Sequence, residues 1–222
     1  KVKSVVALST VDQSYLKLRL KVPEPRLARP GVDTEYFQPC PGYEEIPGSL
    51  VFVGYFKHPP NVEALHYFFR WIWPRVQEAV PEATITIIGR FAPPEVLAYS
   101  RRDVVTFADF VPDLRPYLQR HAVFVAPIIS GAGLRGKILE ALAMGKAVVA
   151  TRRSVEGYPF VHGQELMIAD TAQEFSQHVI DLLRDPGRRA ALGQMGRARV
   201  EAEFSCGGFT EAYELLHAEL FQ

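Results

Sequence analysis

Four short runs are continuous rather than alternating in character: Leu50-Val51-Phe52-Val53, Thr84-Ile85-Thr86-Ile87-Ile88, Ala122-Val123-Phe124-Val125-Ala126 and Ala147-Val148-Val149-Ala150. A strand with one wet face alternates polar and apolar residues, so unbroken apolar or β-branched runs belong in a sheet covered on both faces. Helical patterns lie between them. Val62, Leu65, Phe69, Ile72, Val76 and Val80 recur at near-helical spacing, with Asn61 placed to cap the helix, Pro74 to kink it, and Pro81 just beyond its end. A polar helix around 94–100 precedes the run Val104-Val105-Thr106-Phe107, and Asp113 opens a short helix to about Gln119. Arg135 to Met144 reads as a helix that Gly145 ends in a left-handed conformation. Leu166-Met167-Ile168-Ala169 supplies a further strand, and residues 172–221 carry three helical patterns broken at Asp185-Pro186 and around 205–208. Strands alternating with helices specify a parallel sheet with helices on both faces, the doubly wound α/β class.

The first thirty residues read differently. Ser4 to Ser9 forms a strand-like run, Thr10 to Leu20 a short helix, and Val22-Pro23-Glu24-Pro25 suits neither a helix nor a central strand. Residues 1–30 are therefore expected to be the tail of a preceding domain plus a linker, in a piece of a longer polypeptide. A length of 222 residues fits one substantial domain and a fragment of another. The 25 basic and 25 acidic residues cancel, so nothing electrostatic selects nucleic acid or an anionic surface as a partner. Cys40 and Cys206 have no metal or CxxC spacing and read as reduced thiols. No run reaches the roughly 18–20 apolar residues of a membrane span, and no signal peptide is visible.

Open parallel sheets place ligands outside the carboxyl ends of their strands. Chemistry is therefore expected in the loops that begin at Gly54, Gly89, Phe107, Pro127 and Thr151. The sharpest signal is Pro127-Ile128-Ile129-Ser130-Gly131-Ala132-Gly133-Leu134-Arg135-Gly136-Lys137-Ile138-Leu139-Glu140, which joins a strand to a helix. Gly131 and Gly133 let the backbone approach a ligand. The helix that follows aims free N–H groups into the same space, and Arg135 and Lys137 add two positive charges. Cations there oppose the helix dipole by a few tenths to about 1 kcal/mol each. A bound diphosphate reverses that sign. Glu140 reads equally as an i, i+3 partner of Lys137 or as a carboxylate for ribose hydroxyls. Val111 and Asp113, in Phe110-Val111-Pro112-Asp113, lie where a backbone can meet a base edge or simply turn. Arg90, after Gly89, can reach a phosphate or sugar. Gly131, Gly133 and Gly136 also spell GxGxxG, with Glu156 twenty residues on. That fingerprint opens the first strand–helix unit of a domain, whereas this one follows about four strands. The six histidines show no metal-ligand spacing, no Ser/His/Asp arrangement stands out, and no DxD pair suggests a metal-held diphosphate.

Several of these segments resemble the glycosyltransferases of the two-domain, Rossmann-like (GT-B) type, and family 4 in particular. Pro30-Gly31-Val32-Asp33 through Phe37 resembles that family's junction into its C-terminal domain. Val53-Gly54 with Pro60-Asn61-Val62-Glu63-Ala64-Leu65 resembles the domain's first strand and helix. Phe110-Val111-Pro112-Asp113-Leu114 is similar to its base-binding loop, Lys137 to Ala150 to its LEA-containing signature, and Glu156-Gly157 also has a counterpart. The likeness runs from about residue 4 to 215. It implies a Rossmann-like nucleotide-sugar-binding domain over 31–205 and a C-terminal helix, 206–222, returning toward the N-terminal domain. It further implies retaining transfer from a UDP- or GDP-sugar to a glycan or lipid-linked acceptor, without cofactor or metal. Gly131, Ala132, Gly133, Leu134, Arg135 and Lys137 would line the diphosphate and sugar pocket, Glu140 would hold the ribose, Val111 and Asp113 the base, and Gly54, Arg90 and Glu156 the rest of the cleft. The general catalytic group would belong to the N-terminal domain. The resemblance places the protein in the bacterial cytoplasm or at the inner face of the membrane.

Two departures stand out. The first carboxylate of the family's E-x7-E motif falls at Ala132, and the usual Arg and Lys after the first strand's glycine are absent, with Lys57 nearby. The pattern GxGxRxKILEA fits an exopolysaccharide-type subgroup better, in which Arg135 and Lys137 supply the charge. The fragment is expected to turn donor over poorly and to self-associate through the apolar face of its last helices. A nucleotide-sugar epimerase, a binding module without chemistry, and an NAD-dependent oxidoreductase resting on GxGxxG are the competing readings.

Overall fold

In the computed structural model, which describes residues 4–101 and 103–221, the chain opens with two short parallel strands, β1 (Val6–Ala7) and β2 (Arg26–Leu27). Helix α1 (Thr10–Leu18) joins them, capped by Ser9, whose hydroxyl accepts the Asp12 N–H. The sequence reading found β1 and α1 but not β2, which is only two residues long and follows directly on Pro25.

Six parallel strands follow as one sheet: β3 (Ile46–Val53), β4 (Thr84–Ile88), β5 (Val105–Ala108), β6 (His121–Ala126), β7 (Ala147–Thr151) and β8 (Met167–Ala169). Their order is β5-β4-β3-β6-β7-β8. Counted from the sheet's first strand this is 3-2-1-4-5-6, the doubly wound Rossmann-like arrangement. The strand order reverses between β3 and β6, so the carboxyl ends of those two strands diverge into a crevice.

The continuous apolar runs divide by side-chain parity, as a sheet with two covered faces requires. Leu50, Phe52, Ile85, Ile87, Val123, Val125 and Val149 enter one core. Val51, Phe124, Ala126, Val148 and Ala150 enter the other. The first core is covered by α2 (Pro59–Tyr67), a π-helical turn (Phe68–Ile72), α3 (Trp73–Ala79), α4 (Pro94–Leu97) and α7 (Ala172–Arg184). The second is covered by α5 (Arg115–Arg120), α6 (Gly136–Ala143) and α8 (Pro186–Glu203). Helix α9 (Cys206–Phe221) ends the described chain and exposes Tyr213 and Leu215; the side chains of Leu220 and Phe221 lie outside the described residues.

Three local expectations need correction. Asn61 does not cap α2: the cap is His58, and Asn61 Nδ2 donates instead to the Tyr55 carbonyl at 2.8 Å. The proline at 74 does not kink an α-helix but is preceded by the π-helical turn, in which the Trp73 N–H reaches the Phe68 carbonyl. The wider turn accommodates the missing N–H and the ring of Pro74. Helix α6 begins at Gly136, with Arg135 as its cap rather than its first residue. Gly145 ends it as expected, at φ 66°.

Candidate functional site

The crevice at the β3/β6 switch point encloses about 320 Å³. Its floor is strand: Phe52 and Val53 from β3, Phe124 to Ala126 from β6. Gly54, Tyr55, His58 and Asn61 form one wall, where β3 leads into α2. Ala132, Leu134, Arg135, Gly136 and Lys137 form the other, where β6 leads into α6. The first turns of two helices therefore open into one space, and neither contains an acidic side chain. Both ends carry the positive pole of a helix.

The glycines permit this approach. A Cβ on Gly131 would lie 2.6 Å from Pro60 Cγ, and Gly131 and Gly133 hold φ of 78° and 95°. The loop between them is clamped from within. Arg135 folds back and its Nη1 donates to the carbonyls of Ala132, at 2.8 Å, and Gly133, while Nη2 donates to Ser130 at 3.3 Å. The Ser130 hydroxyl donates in turn to Glu63 on α2. Burial lowers the Arg135 pKa from its ordinary range, because a half-buried guanidinium loses solvation. Its three carbonyl partners leave two of five donors open. Lys137 Nζ meets both carboxylate oxygens of Glu140 at 2.9 Å, the i, i+3 pairing that the sequence left open.

A second hollow, of about 380 Å³, lies beside the first. Gly133, Leu134, Gly136 and Glu140 line one side of it, and Leu8, Asp12 and residues 30–32 the other. Glu140 thus faces this hollow and not the switch-point crevice. A third, of about 460 Å³, is lined by Arg152, Arg153, Glu156 and Phe160. Tyr158 walls both the second and third; its hydroxyl is buried near Arg135, and burial pushes its pKa up. Glu156 pairs with Arg153 at 2.6 Å.

The remaining expected residues sit on the β4–β5 side, outside these three linings. Arg90 lies over the rings of Phe91 and Phe110, at 5.0 and 5.4 Å. Val111 is half-buried against the second core. Asp113 pairs with Arg115 at 2.8 Å, and that hydrogen-bonded guanidinium holds its carboxyl below the usual range. Arg115 in turn covers the Tyr36 ring at 3.9 Å. The structure therefore gathers Gly54, Ala132, Leu134, Arg135 and Lys137 into one crevice, sets Glu140 and Glu156 in neighbouring hollows, and leaves Arg90, Val111 and Asp113 on the adjoining rim. The sequence reading missed Tyr55, His58, Asn61 and Tyr158. The run His58-Pro59-Pro60-Asn61 carried a signal for the first group, since proline suits the first helical turn. Among the described residues no group of three or more His, Cys, Asp or Glu side chains is placed to hold a metal ion, and no helix is long and apolar enough to cross a membrane.

Comparison with known proteins agrees on the architecture. The family profile described as Glycosyl transferases group 1 matches residues 47–185. A GDP-mannose-dependent monoacylated alpha-(1-6)-phosphatidylinositol monomannoside mannosyltransferase of Corynebacterium glutamicum is 31% identical over 144 residues, covering 60% of this chain and 38% of that protein. Sucrose-phosphate synthase from Thermosynechococcus elongatus superposes with a TM-score of 0.78 at 22% identity, over 100% of this chain and 59% of its own. Anabaena HepE in complex with UDP superposes at 0.79 with 14% identity, over 98% of this chain and 64% of its own. The chain thus spans well under half of the curated relative and about three-fifths of the two structures.

Proposed function

The chain belongs to the group 1 glycosyl transferases, and from that premise we propose that it is the nucleotide-sugar-binding half of a GT-B enzyme of the family 4, exopolysaccharide type. The observation that carries this reading is the crevice at the sheet's switch point, where the loop 131–135, the N-terminus of α6 and the cations Arg135 and Lys137 converge. Oriented N–H groups and fixed positive charge suit a diphosphate, and they match the charge that builds on a departing nucleoside diphosphate during transfer. In this assignment Gly131 to Leu134, Arg135 and Lys137 hold the diphosphate and sugar. Glu140 holds the ribose from the adjoining hollow. Val111 and Asp113 meet the base on the rim, with Arg90 beside them, and Gly54 and Glu156 complete the cleft. Binding is assigned without metal or cofactor, in keeping with a sequence that carries no DxD pair.

Residues 1–30 are assigned to the tail of the N-terminal domain and its linker, 31–205 to the donor domain, and 206–222 to a helix that returns to the partner domain. The N-terminal half would bring the acceptor, a glycan or lipid-linked sugar, and the general catalytic group; transfer of the hexosyl group proceeds with retention. The lipid acceptor in the name of the Corynebacterium relative supports a lipid-linked acceptor; the site of action is assigned to the cytoplasm, at the inner face of the membrane. The UDP complex of HepE and the GDP-mannose of that relative support uracil and guanine as the two bases to test. Alone, the donor half binds nucleotide and turns over little, and the open face of α9 favours self-association.

A thermal-shift panel of UDP, GDP, ADP and NAD tests the assignment. Selective binding to the native state raises the unfolding midpoint by mass action. One nucleoside diphosphate should raise it, and Arg135→Ala should abolish the rise. A response to NAD alone, or to none of the four, overturns the assignment.

A further inference from the structure

The hollow beside the switch-point crevice joins two parts of the chain that are far apart in sequence. Leu134, Gly136 and Glu140 come from the glycine loop and the first turns of α6, whereas Leu8 and Asp12 come from the tail that precedes the donor domain. Leu134 and Gly136 line the crevice as well. A ligand whose diphosphate occupies the crevice therefore has this hollow, of about 380 Å³, next to it.

The tail is fixed in place there. Ser9 is buried, and a Cβ on Gly157 would lie 3.0 Å from Ser9 Cβ and 2.9 Å from Leu134 Cδ2. Only a glycine at that position lets the start of α1 and the donor loop close over the same backbone. Ser9 Oγ accepts the Asp12 N–H at 3.0 Å and donates to Asp12 Oδ2 at 2.7 Å, which holds the carboxylate at the first turn of α1. Asp12 Oδ1 has no hydrogen-bond partner among the described residues.

On the other wall, both carboxylate oxygens of Glu140 already meet Lys137. Leu8, Leu134 and Leu139 supply apolar surface around the two carboxylates. A carboxylate only accepts, so the group that completes Asp12 must donate, and a second phosphate is repelled. A metal ion would need further ligands, and among the described residues no third His, Cys, Asp or Glu joins the pair. A furanose ring has the matching distribution: two vicinal hydroxyls on one edge, and C–H surface on its faces.

We propose that Asp12 contacts the ribose and helps to select ribonucleotides: its Oδ1 accepts a hydrogen bond from one ribose hydroxyl while Glu140 takes the other. This rests on the donor-binding assignment and adds to it a residue from outside the donor domain, so that the tail completes the nucleotide site. A hydrogen bond to a charged acceptor corresponds to roughly a ten- to hundredfold change in affinity.

Isothermal titration of the chain with UDP and GDP and with their 2′,3′-dideoxy analogues tests the proposal. Asp12→Asn should weaken the ribonucleotide that binds by about tenfold and leave its dideoxy analogue unchanged. Circular dichroism checks that the variant is folded. Glu140→Gln alone should leave part of the preference for ribose, and the double variant none. Unchanged binding in Asp12→Asn, equal weakening of both nucleotides, or a preference erased by Glu140→Gln alone overturns the proposal and leaves the donor assignment standing. Binding of neither UDP nor GDP to the parent chain overturns both.

Discussion

Replacing Gly89 by alanine should be among the most damaging single-methyl changes in this chain. Gly89 follows β4, and a Cβ built there would lie 1.7 Å from the Gly54 carbonyl oxygen and 2.9 Å from Phe56 Cε2. Both the oxygen and the ring are held: Gly54 N–H donates to Ile88 at 2.9 Å, Phe56 N–H to Arg90 at 3.0 Å, and Gly89 N–H to Ala108 at 3.0 Å. To admit the methyl group the ends of β3 and β4 must part by more than an ångström. Losing two of those bonds costs about 1–3 kcal/mol, and overpacking adds about 1–3 kcal/mol. For a chain of this size each kcal/mol moves the midpoint by roughly 2–4 °C, so a total of about 2–6 kcal/mol lowers it by about 4–24 °C. Thermal unfolding followed by circular dichroism reads this directly. Gly207→Ala is the control: nothing lies within 4 Å of its added Cβ, and it sits in α9. That change should be neutral or stabilise by up to about 1 kcal/mol. A Gly89→Ala midpoint within about 2 °C of the parent would refute the reasoning, since the strand ends would then be free to part. The same variant should weaken nucleotide binding, because Gly54 lines the crevice.

Two further outcomes follow from buried charge. Lys146 and Arg189 are both buried and share the carboxylate of Glu45, so Glu45→Gln leaves two cations without a counter-ion; urea unfolding should show a loss of about 3 kcal/mol, and a loss under 0.5 kcal/mol would contradict the shared pairing. His121 is buried between the Tyr117 carbonyl, 2.6 Å from Nδ1, and the Thr86 hydroxyl, 2.8 Å from Nε2, and burial lowers its pKa below 6.5. With the folded pKa depressed, the unfolded chain takes up the proton first, so the contribution is complete above about pH 6.5 and is lost as pH falls through the folded value. His178 shifts in the same direction, chiefly through burial. His121→Asn keeps a donor for Tyr117 but does not titrate, and it should flatten the acid limb of stability against pH. An unchanged limb would assign that limb to other groups.

Much of the architecture was legible because the strands are buried on both faces. Continuous apolar runs have few alternatives at that length, and Gly54, Gly89 and Gly145 marked ends that the structure confirms. The start of β3 was not legible. Ile46-Pro47-Gly48-Ser49 looks like a turn, yet it pairs with β6 through a register shift. There Gly48 takes φ 72°, and Ser49 Oγ accepts the Ala122 N–H that the irregularity would leave unpaired. The π-helical turn before Pro74 was equally hidden, since sequence marks the proline and not how the preceding carbonyls adapt. In the site, the glycine loop and its cations were visible as a linear motif. The opposite wall was not, because His58 and Asn61 reach the crevice only through strand order: β3 must lie beside β6, a pairing between residues about seventy apart. The inward fold of Arg135 onto its own loop was also out of reach. An arginine beside glycines signals charge, but not that three carbonyls already hold it.

The central claim is that a nucleoside diphosphate sits where β3 and β6 diverge. A crystal structure of the chain with UDP or GDP, whichever raises the unfolding midpoint, tests it most directly. The account predicts the diphosphate between Gly54 and the first turn of α6, within hydrogen-bond distance of backbone N–H groups from residues 133–137. A nucleotide bound elsewhere on the chain, with the switch-point crevice filled only by solvent, would contradict it.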